Sequence, residues 1–134
     1  MLTSRADCRE LFFGARSGVA DGALDAHMRR MAADATCGLD LADFERALPS
    51  RRAVAPSGRA DWLARAPPCL VVGARDDFVV DLDGVRETAA FFGVEPVVLA
   101  DAPHDLMLAP GWERTMAPLL DWLAGLGDFA EGAA

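Results

Sequence analysis

Two loops in the second half of the chain carry residues that could do acid–base chemistry. One is the turn Gly73–Val79, which follows an apolar run and contains the adjacent carboxylates Asp76 and Asp77. The other follows the next apolar run and holds His104. An imidazole takes up and releases protons near neutral pH, and a carboxylate that accepts a hydrogen bond from one ring nitrogen fixes its tautomer and stabilises the imidazolium. A carboxylate of the first loop placed beside His104 would therefore make a general base able to activate a nucleophile.

Both loops follow apolar segments that are predicted to be strands. Cys69–Val72 and Pro96–Ala100 are short continuous apolar runs, which are typical of parallel strands buried on both faces. Between them, apolar residues share one face of a helix predicted from Asp83 to Phe92. This order predicts a βαβ unit, whose two strands end at the same edge of a sheet. We therefore expect Asp76 and His104 to face each other at that edge, within or near hydrogen-bonding distance.

The remaining apolar patterns predict helices. Helical spacing indicates one helix over Asp21–Ala35 and a short second helix over Leu41–Leu48. A closing amphipathic helix begins near Trp112, and Gly125 and Gly127 follow its last apolar residues. The helices of the first half are compatible with a mobile cap or with simple packing against the core, and the sequence leaves both interpretations open.

The chain is predicted to have three parts. A helical cap-like segment with a linker covers 1–66, an α/β part covers 67–127, and a flexible tail covers 128–134. Two parallel strands do not make a self-sufficient sheet, because such strands need neighbours and cover on both faces. We therefore expect further strands to come from sequence outside this chain or from another molecule.

The segment Pro68–Asp76, followed by His104, resembles the last two strands of the α/β-hydrolase superfamily. In that family a G-x-x-D-x-x-V turn after the penultimate main strand carries the acid of a catalytic triad. Gly73, Asp76 and Val79 match this turn. The predicted helix, the second strand, the histidine loop and the closing helix then follow in the family's order.

The resemblance implies a partial α/β-hydrolase fold, in which the last two parallel strands and their flanking helices follow a helical cap-like segment. It implies that Asp76 is the triad acid and His104 the base, with Asp77 as the alternative acid. Within the superfamily, Thr88–Ala89 and His104–Leu108 are similar to lipase- and esterase-like enzymes. The implied reaction is hydrolysis of a carboxylic ester or acyl lipid, and the implied partner is a small-molecule ester or acyl substrate.

The chain departs from this family in two parts of the machinery, the nucleophile elbow and the oxyanion-hole loop, and neither has a counterpart in the sequence. The family's nucleophilic serine lies in a G-x-S-x-G elbow. None of the four serines has that setting: Ser4, Ser17, Ser50 and Ser57. We therefore predict that the chain supplies the acid and base of a serine hydrolase, contains no nucleophile and is inactive alone.

Two other functions remain open. A non-catalytic interaction protein derived from a hydrolase would pair its open sheet edge with another chain, and the same edge predicts self-association. A receiver-like signalling domain would use Asp76 and Asp77 as an acidic phospho-acceptor pocket. That domain also needs a positioned lysine, and the sequence contains none.

Composition argues against several classes of partner. The net charge of −8 repels nucleic acid and anionic membrane surfaces, and no apolar run is long enough for a transmembrane segment. Neither the cysteines nor the clustered aspartates have the spacing of a disulfide framework, a zinc site or an EF-hand: Cys8, Cys37, Cys69, Asp76, Asp77, Asp81 and Asp83. We expect no metal and no cofactor, a soluble intracellular protein of unassigned compartment, and a structural or solvated His27.

Overall fold

The computed structural model describes residues 4–35, 38, 40–47, 56–60 and 62–130 of the 134-residue chain. Its helices and strands follow in chain order. They are α1 (Arg5–Cys8), which continues as a π-helical segment (Arg9–Phe13), α2 (Asp21–Asp34), α3 (Leu41–Ala47), a 3₁₀ turn (Leu63–Arg65), β1 (Val72–Ala74), α4 (Leu82–Phe92), β2 (Val97–Leu99) and α5 (Trp112–Ala130). The protein is therefore a mixed α/β structure, as predicted.

The two strands form a parallel sheet joined through α4. Val72 pairs with Val97, and Ala74 pairs with Leu99. The amide of Arg75 also donates to the Leu99 carbonyl at 2.8 Å, which extends the pairing beyond the end of β1. Strand β1 thus begins three residues after the predicted start at Cys69 and ends two residues after the predicted end at Val72. Apolar character locates a strand segment, but the hydrogen bonds to its partner decide which residues pair.

Residues at both ends of helix α4 fix where it begins and ends, and one close contact with β1 fixes how it packs on the sheet. The Asp81 side chain caps its N-terminus by accepting from the Gly84 amide at 2.7 Å, and Gly93 ends it in the left-handed conformation with φ of 66°. Its buried Val85 lies over Gly73 of β1, where a Cβ on the glycine would overlap the valine side chain. The absence of a side chain at Gly73 therefore lets α4 cover one face of the sheet.

The best-buried cluster lies away from the sheet. Its members come from α1, the π-helical segment, the loop before α2, α2 itself and the loop after β2: Cys8, Phe13, Val19, Leu24 and Ala109. Of the strand residues, Gly73 and Ala74 are buried and the other four are half-buried, so the described residues do not reach the predicted burial on both faces. The helical segment over 5–13, which the sequence analysis did not predict, packs beneath the loop that carries His104.

Helix α5 runs further than its glycines suggested. It continues through Gly125, which keeps a helical backbone, and ends at Ala130. A glycine ends a helix when it adopts the left-handed conformation, and Gly125 does not. The flexible tail and the domain boundaries stay predictions, and residues 131–134 lie outside the described residues. Among the described helices, none has the length and apolar character needed to cross a membrane.

The contact between Gly73 and Val85 generates a prediction about stability. Gly73→Ala should destabilise the protein by about 1–3 kcal/mol, because the new methyl group forces apart a strand and the helix packed on it. Gly125→Ala is the matched control. It lies in the interior of α5 with no atom within 4 Å of the added Cβ, so it should stabilise by about 0.5–1 kcal/mol. Urea unfolding followed by circular dichroism measures both, and an unchanged midpoint for Gly73→Ala would contradict this account of the packing.

Candidate acid–base site

Parallel pairing places the loops after β1 and β2 at one edge of the sheet, and there a histidine meets a carboxylate. The Nδ1 atom of His104 lies 3.0 Å from Oδ2 and 3.1 Å from Oδ1 of Asp77. The predicted meeting of the two loops is therefore found, but the carboxylate in contact is Asp77. Asp76, the preferred residue from the sequence, is exposed on the neighbouring position of the turn.

The local fold of the turn explains why Asp77 is the residue that faces the histidine. Its Oδ1 accepts hydrogen bonds from the amides of Val79 at 2.7 Å and Val80 at 3.0 Å. An aspartate that binds the amides two and three residues ahead forms an Asx turn, which holds its side chain on the inside of the loop. The Asp77 side chain is 9% exposed as a result. The sequence carries no signal that separates Asp77 from Asp76, because the donors to Asp77 are backbone amides, which every residue type other than proline provides.

The surroundings of Asp77 favour its charged form. Burial raises the pKa of this carboxyl, but hydrogen bonds from the Val80 amide, from His104 and from the Val79 amide outweigh it, so the pKa lies below the ordinary value of 3.8. Asp77 is therefore ionised at neutral pH. An ionised carboxylate can only accept, so the contact requires Nδ1 of His104 to carry the hydrogen.

This arrangement leaves the other ring nitrogen of His104 as the basic atom. With Nδ1 donating to Asp77, Nε2 of the neutral ring holds the free electron pair. The side chain is 28% exposed, so the ring is accessible from one side. Its other support is the ring of Phe12, whose centroid is 5.7 Å away at an interplanar angle of 55°. The pair can take a proton at Nε2 and stabilise the resulting imidazolium through Asp77.

A second histidine–aspartate pair lies beside the first. His27 Nδ1 is 3.5 Å from Oδ2 of Asp105, and their side chains are 10% and 17% exposed. The sequence analysis expected His27 to be structural or solvated; it is buried. Asp105, the residue after His104, was not singled out at all. Nothing in the spacing of His27 and Asp105 could have revealed the contact, because their elements are distant in the chain.

An open cleft adjoins the candidate site. It has a volume of about 640 Å³, and its walls include Phe13, Ser17, Asp76, Phe78 and Pro103. Asp76 therefore belongs to the wall of this cleft, while Asp77 turns toward His104. Pro103 is the chain neighbour of His104, whose own side chain is not part of the cleft wall.

The described residues place no nucleophile on His104. Ser4 caps α1 by accepting from the Asp7 amide, and Ser17 is in the cleft wall with a buried hydroxyl that lacks a hydrogen bond among the described atoms. Ser57 is exposed on a turn, and Ser50 lies outside the described residues. Cys8 is completely buried, and burial, with Asp105 nearby, raises the pKa of its thiol. What the described site contains is an oriented base and its carboxylate.

Comparisons with models of protein families, with curated proteins and with solved structures give no match to this chain. The geometry of the site and the resemblance carried by the motif are thus the grounds for a functional proposal.

The lowered pKa of Asp77 generates a prediction with a definite sign. A carboxyl whose pKa is depressed in the folded state stabilises the fold above its unfolded pKa, and loses that contribution as the pH falls through the folded value. Asp77→Asn should therefore lower the free energy of unfolding by about 1–2 kcal/mol at pH 7. The difference from the wild type should persist to about pH 4 and shrink below it.

Urea unfolding at a series of pH values measures this difference, and Asp76→Asn is the matched control. Asp76 is exposed on the adjacent position, so its replacement should change the free energy of unfolding by less than about 0.5 kcal/mol. A large effect of Asp76→Asn with none from Asp77→Asn would return the role of the acid to Asp76.

Proposed function

We propose that this chain supplies the acid–base pair of a serine hydrolase of the α/β-hydrolase type, which cleaves carboxylic esters or acyl lipids. His104 is the general base, and Asp77 takes the role of the acid that the motif assigned to Asp76. The observation that carries the proposal is the contact of His104 Nδ1 with a buried, ionised carboxylate, which leaves Nε2 free at the carboxyl edge of a parallel strand pair. This is the relation between base and acid in a catalytic triad.

The pair would act in two proton transfers per acyl transfer. Nε2 of His104 takes the proton of a serine hydroxyl as its oxygen attacks the ester carbonyl, and then gives it to the departing alkoxide as the carbon–oxygen bond breaks. Water repeats the cycle: His104 takes its proton, the hydroxide attacks the acyl-enzyme, and the serine oxygen leaves with the proton. Asp77 stays ionised throughout and stabilises the imidazolium.

Within this proposal, the nucleophile and the oxyanion hole belong to polypeptide that this chain does not contain. Both are needed, because a base and an acid without a nucleophile have nothing to activate. The cleft beside Pro103 would receive part of the ester substrate, with Phe78 as an apolar contact and Asp76 at its polar wall.

A hydrolysis assay on two forms of the protein tests this proposal. One form is the 134-residue chain, and the other is the reading frame extended upstream as far as the transcript allows. With p-nitrophenyl butyrate, the 134-residue chain should show no turnover that depends on His104. The extended form should contain a G-x-S-x-G elbow and should hydrolyse the ester. There, His104→Ala and Asp77→Asn should lower kcat by about 10³–10⁴-fold.

Asp83→Asn is the matched control, since Asp83 is an exposed residue of α4 whose carboxylate pairs with Arg86 three residues further along the same helix. Its kcat should remain within about twofold of the parent's. An extended form without a nucleophile, or one whose hydrolysis survives His104→Ala, would overturn the proposal. Robust His104-dependent turnover by the 134-residue chain would show that a nucleophile lies within it.

A second candidate function is that of a non-catalytic interaction protein, and the exposed apolar side chains favour it. Phe78, Met107 and Leu120 are 66%, 58% and 62% exposed. Within the described residues, β1 and β2 pair only with each other, so each strand has an open outer edge. Open edges and clustered apolar surface are features that other chains bind.

Both candidate functions predict association of the isolated chain. Sedimentation should show concentration-dependent dimers or larger species, because apolar surface and strand edges are left uncovered. Leu120→Glu, at an exposed apolar position of α5, should shift the equilibrium toward monomer, whereas Glu113→Gln on the same helix should not. A strictly monomeric chain with a steep urea transition would contradict the expectation that this chain is part of a larger sheet.

A further inference from the structure

Phe12 lies between the two histidines of the protein. Its ring centroid is 5.0 Å from that of His27 and 5.7 Å from that of His104, and both pairs of rings are tilted. The backbone makes a connection at the same point, because the amide of Asp105 donates to the Phe12 carbonyl at 2.8 Å. The π-helical segment therefore supports the histidine loop through a ring contact and through a hydrogen bond.

The second connection to this loop comes from α2 through His27. Its ring also meets Phe13 edge-on, with centroids 5.2 Å apart, and its Nδ1 lies 3.5 Å from the carboxylate of Asp105. The carbonyl of Asp105 in turn accepts from the amides of Leu108 and Ala109. Asp105 is thus the residue at which α2, the π-helical segment and the following turn all reach the loop.

Burying a histidine and an aspartate at the positions of His27 and Asp105 costs free energy. His27 Nε2 and Asp105 Oδ2 are buried, and neither has a hydrogen bond among the described atoms. Burying such polar atoms costs free energy that an apolar pair of similar shape would not cost. Helix α2 is moreover held to α1 by ion pairs of Arg5 and Arg9 with Asp21 and Asp25, which lie toward the surface. The packing of α2 is therefore stabilised by contacts other than that of His27 with Asp105.

We propose that His27 and Asp105 are positioning residues that keep the ring of His104 oriented with its Nδ1 facing the carboxylate of Asp77. Asp105 directly follows His104 in the chain. The hydrogen bond of its amide to Phe12 and the 3.5 Å approach of its carboxylate to His27 Nδ1 therefore limit how the preceding backbone and ring can rotate. The contact of Phe12 with both rings restricts His104 from the other side. The inference deepens the proposed function and rests on it, since it assigns the support of the base.

Nitrogen-15 NMR of the imidazole rings in the 134-residue chain tests this role without requiring catalysis. In the wild type, His104 should be in the tautomer with hydrogen on Nδ1, and that hydrogen should exchange slowly with water. Asp105→Asn and His27→Phe should mix the tautomers and speed exchange of the Nδ1 hydrogen by at least about tenfold, which corresponds to about 1.4 kcal/mol at 25 °C. His27→Phe keeps a ring between Phe12 and Phe13 and removes only the ring nitrogens.

Two further variants separate positioning from general destabilisation. His27→Asn restores a donor near the place of Nδ1 and should recover most of the wild-type ring signals. Asp25→Asn removes a different ionic contact of the same helix, with Arg5, and should leave the His104 ring unchanged. If His27→Phe does not fold, the comparison of Asp105→Asn with His27→Asn is sufficient to test the positioning role.

Unchanged His104 signals in a folded Asp105→Asn protein would overturn the positioning role, and so would equal changes in Asp25→Asn. The outcome is independent of the hydrolysis assay. An active extended enzyme with unaltered ring signals in these variants rejects only the positioning role. Altered ring signals with no esterase activity in any form reject only the hydrolase.

Discussion

Parallel pairing of β1 with β2 is the constraint on which the candidate site depends. Because the strands run in the same direction and pair up to Ala74 and Leu99, the loops that follow them leave the sheet side by side. Asp77 and His104 can then meet although α4 separates them in the chain. The contact of Asp77 with His104 at this edge is therefore a consequence of strand direction.

The charge on Asp77 is maintained by directed hydrogen bonds in a protein that is itself strongly acidic. A net charge of −8 favours protonation of any further buried carboxyl. Two backbone amides and His104 nevertheless keep Asp77 ionised, because each donor is aimed at its oxygens. The turn therefore keeps Asp77 negatively charged before His104 accepts a proton. This charge is what stabilises the imidazolium when it forms.

The main cluster of buried side chains lies mostly in the first half of the chain and away from the strands. Of the helices interpreted as a cap or as simple packing, α2 contributes Leu24 to the well-buried cluster, whereas Cys8 and Phe13 come from the segment over 5–13 that was not predicted. In the strands, Gly73 and Ala74 are buried and the other four residues are half-buried. His104 is thus contacted by the helical segment through Phe12, while the sheet sets the direction in which the two loops leave it.

The sequence by itself determined the order of the elements around the site and the two loops that meet. Continuous apolar runs and the 3.6-residue spacing of the helix between them are local signals, so they predicted the βαβ unit and the approach of an acidic turn to His104. Tertiary structure decided which aspartate faces the ring, because neighbouring side chains on a turn diverge and only the hydrogen bonds to Val79 and Val80 select Asp77. It also decided the contact of His27 with Asp105, since packing between distant segments leaves no periodic trace in either one.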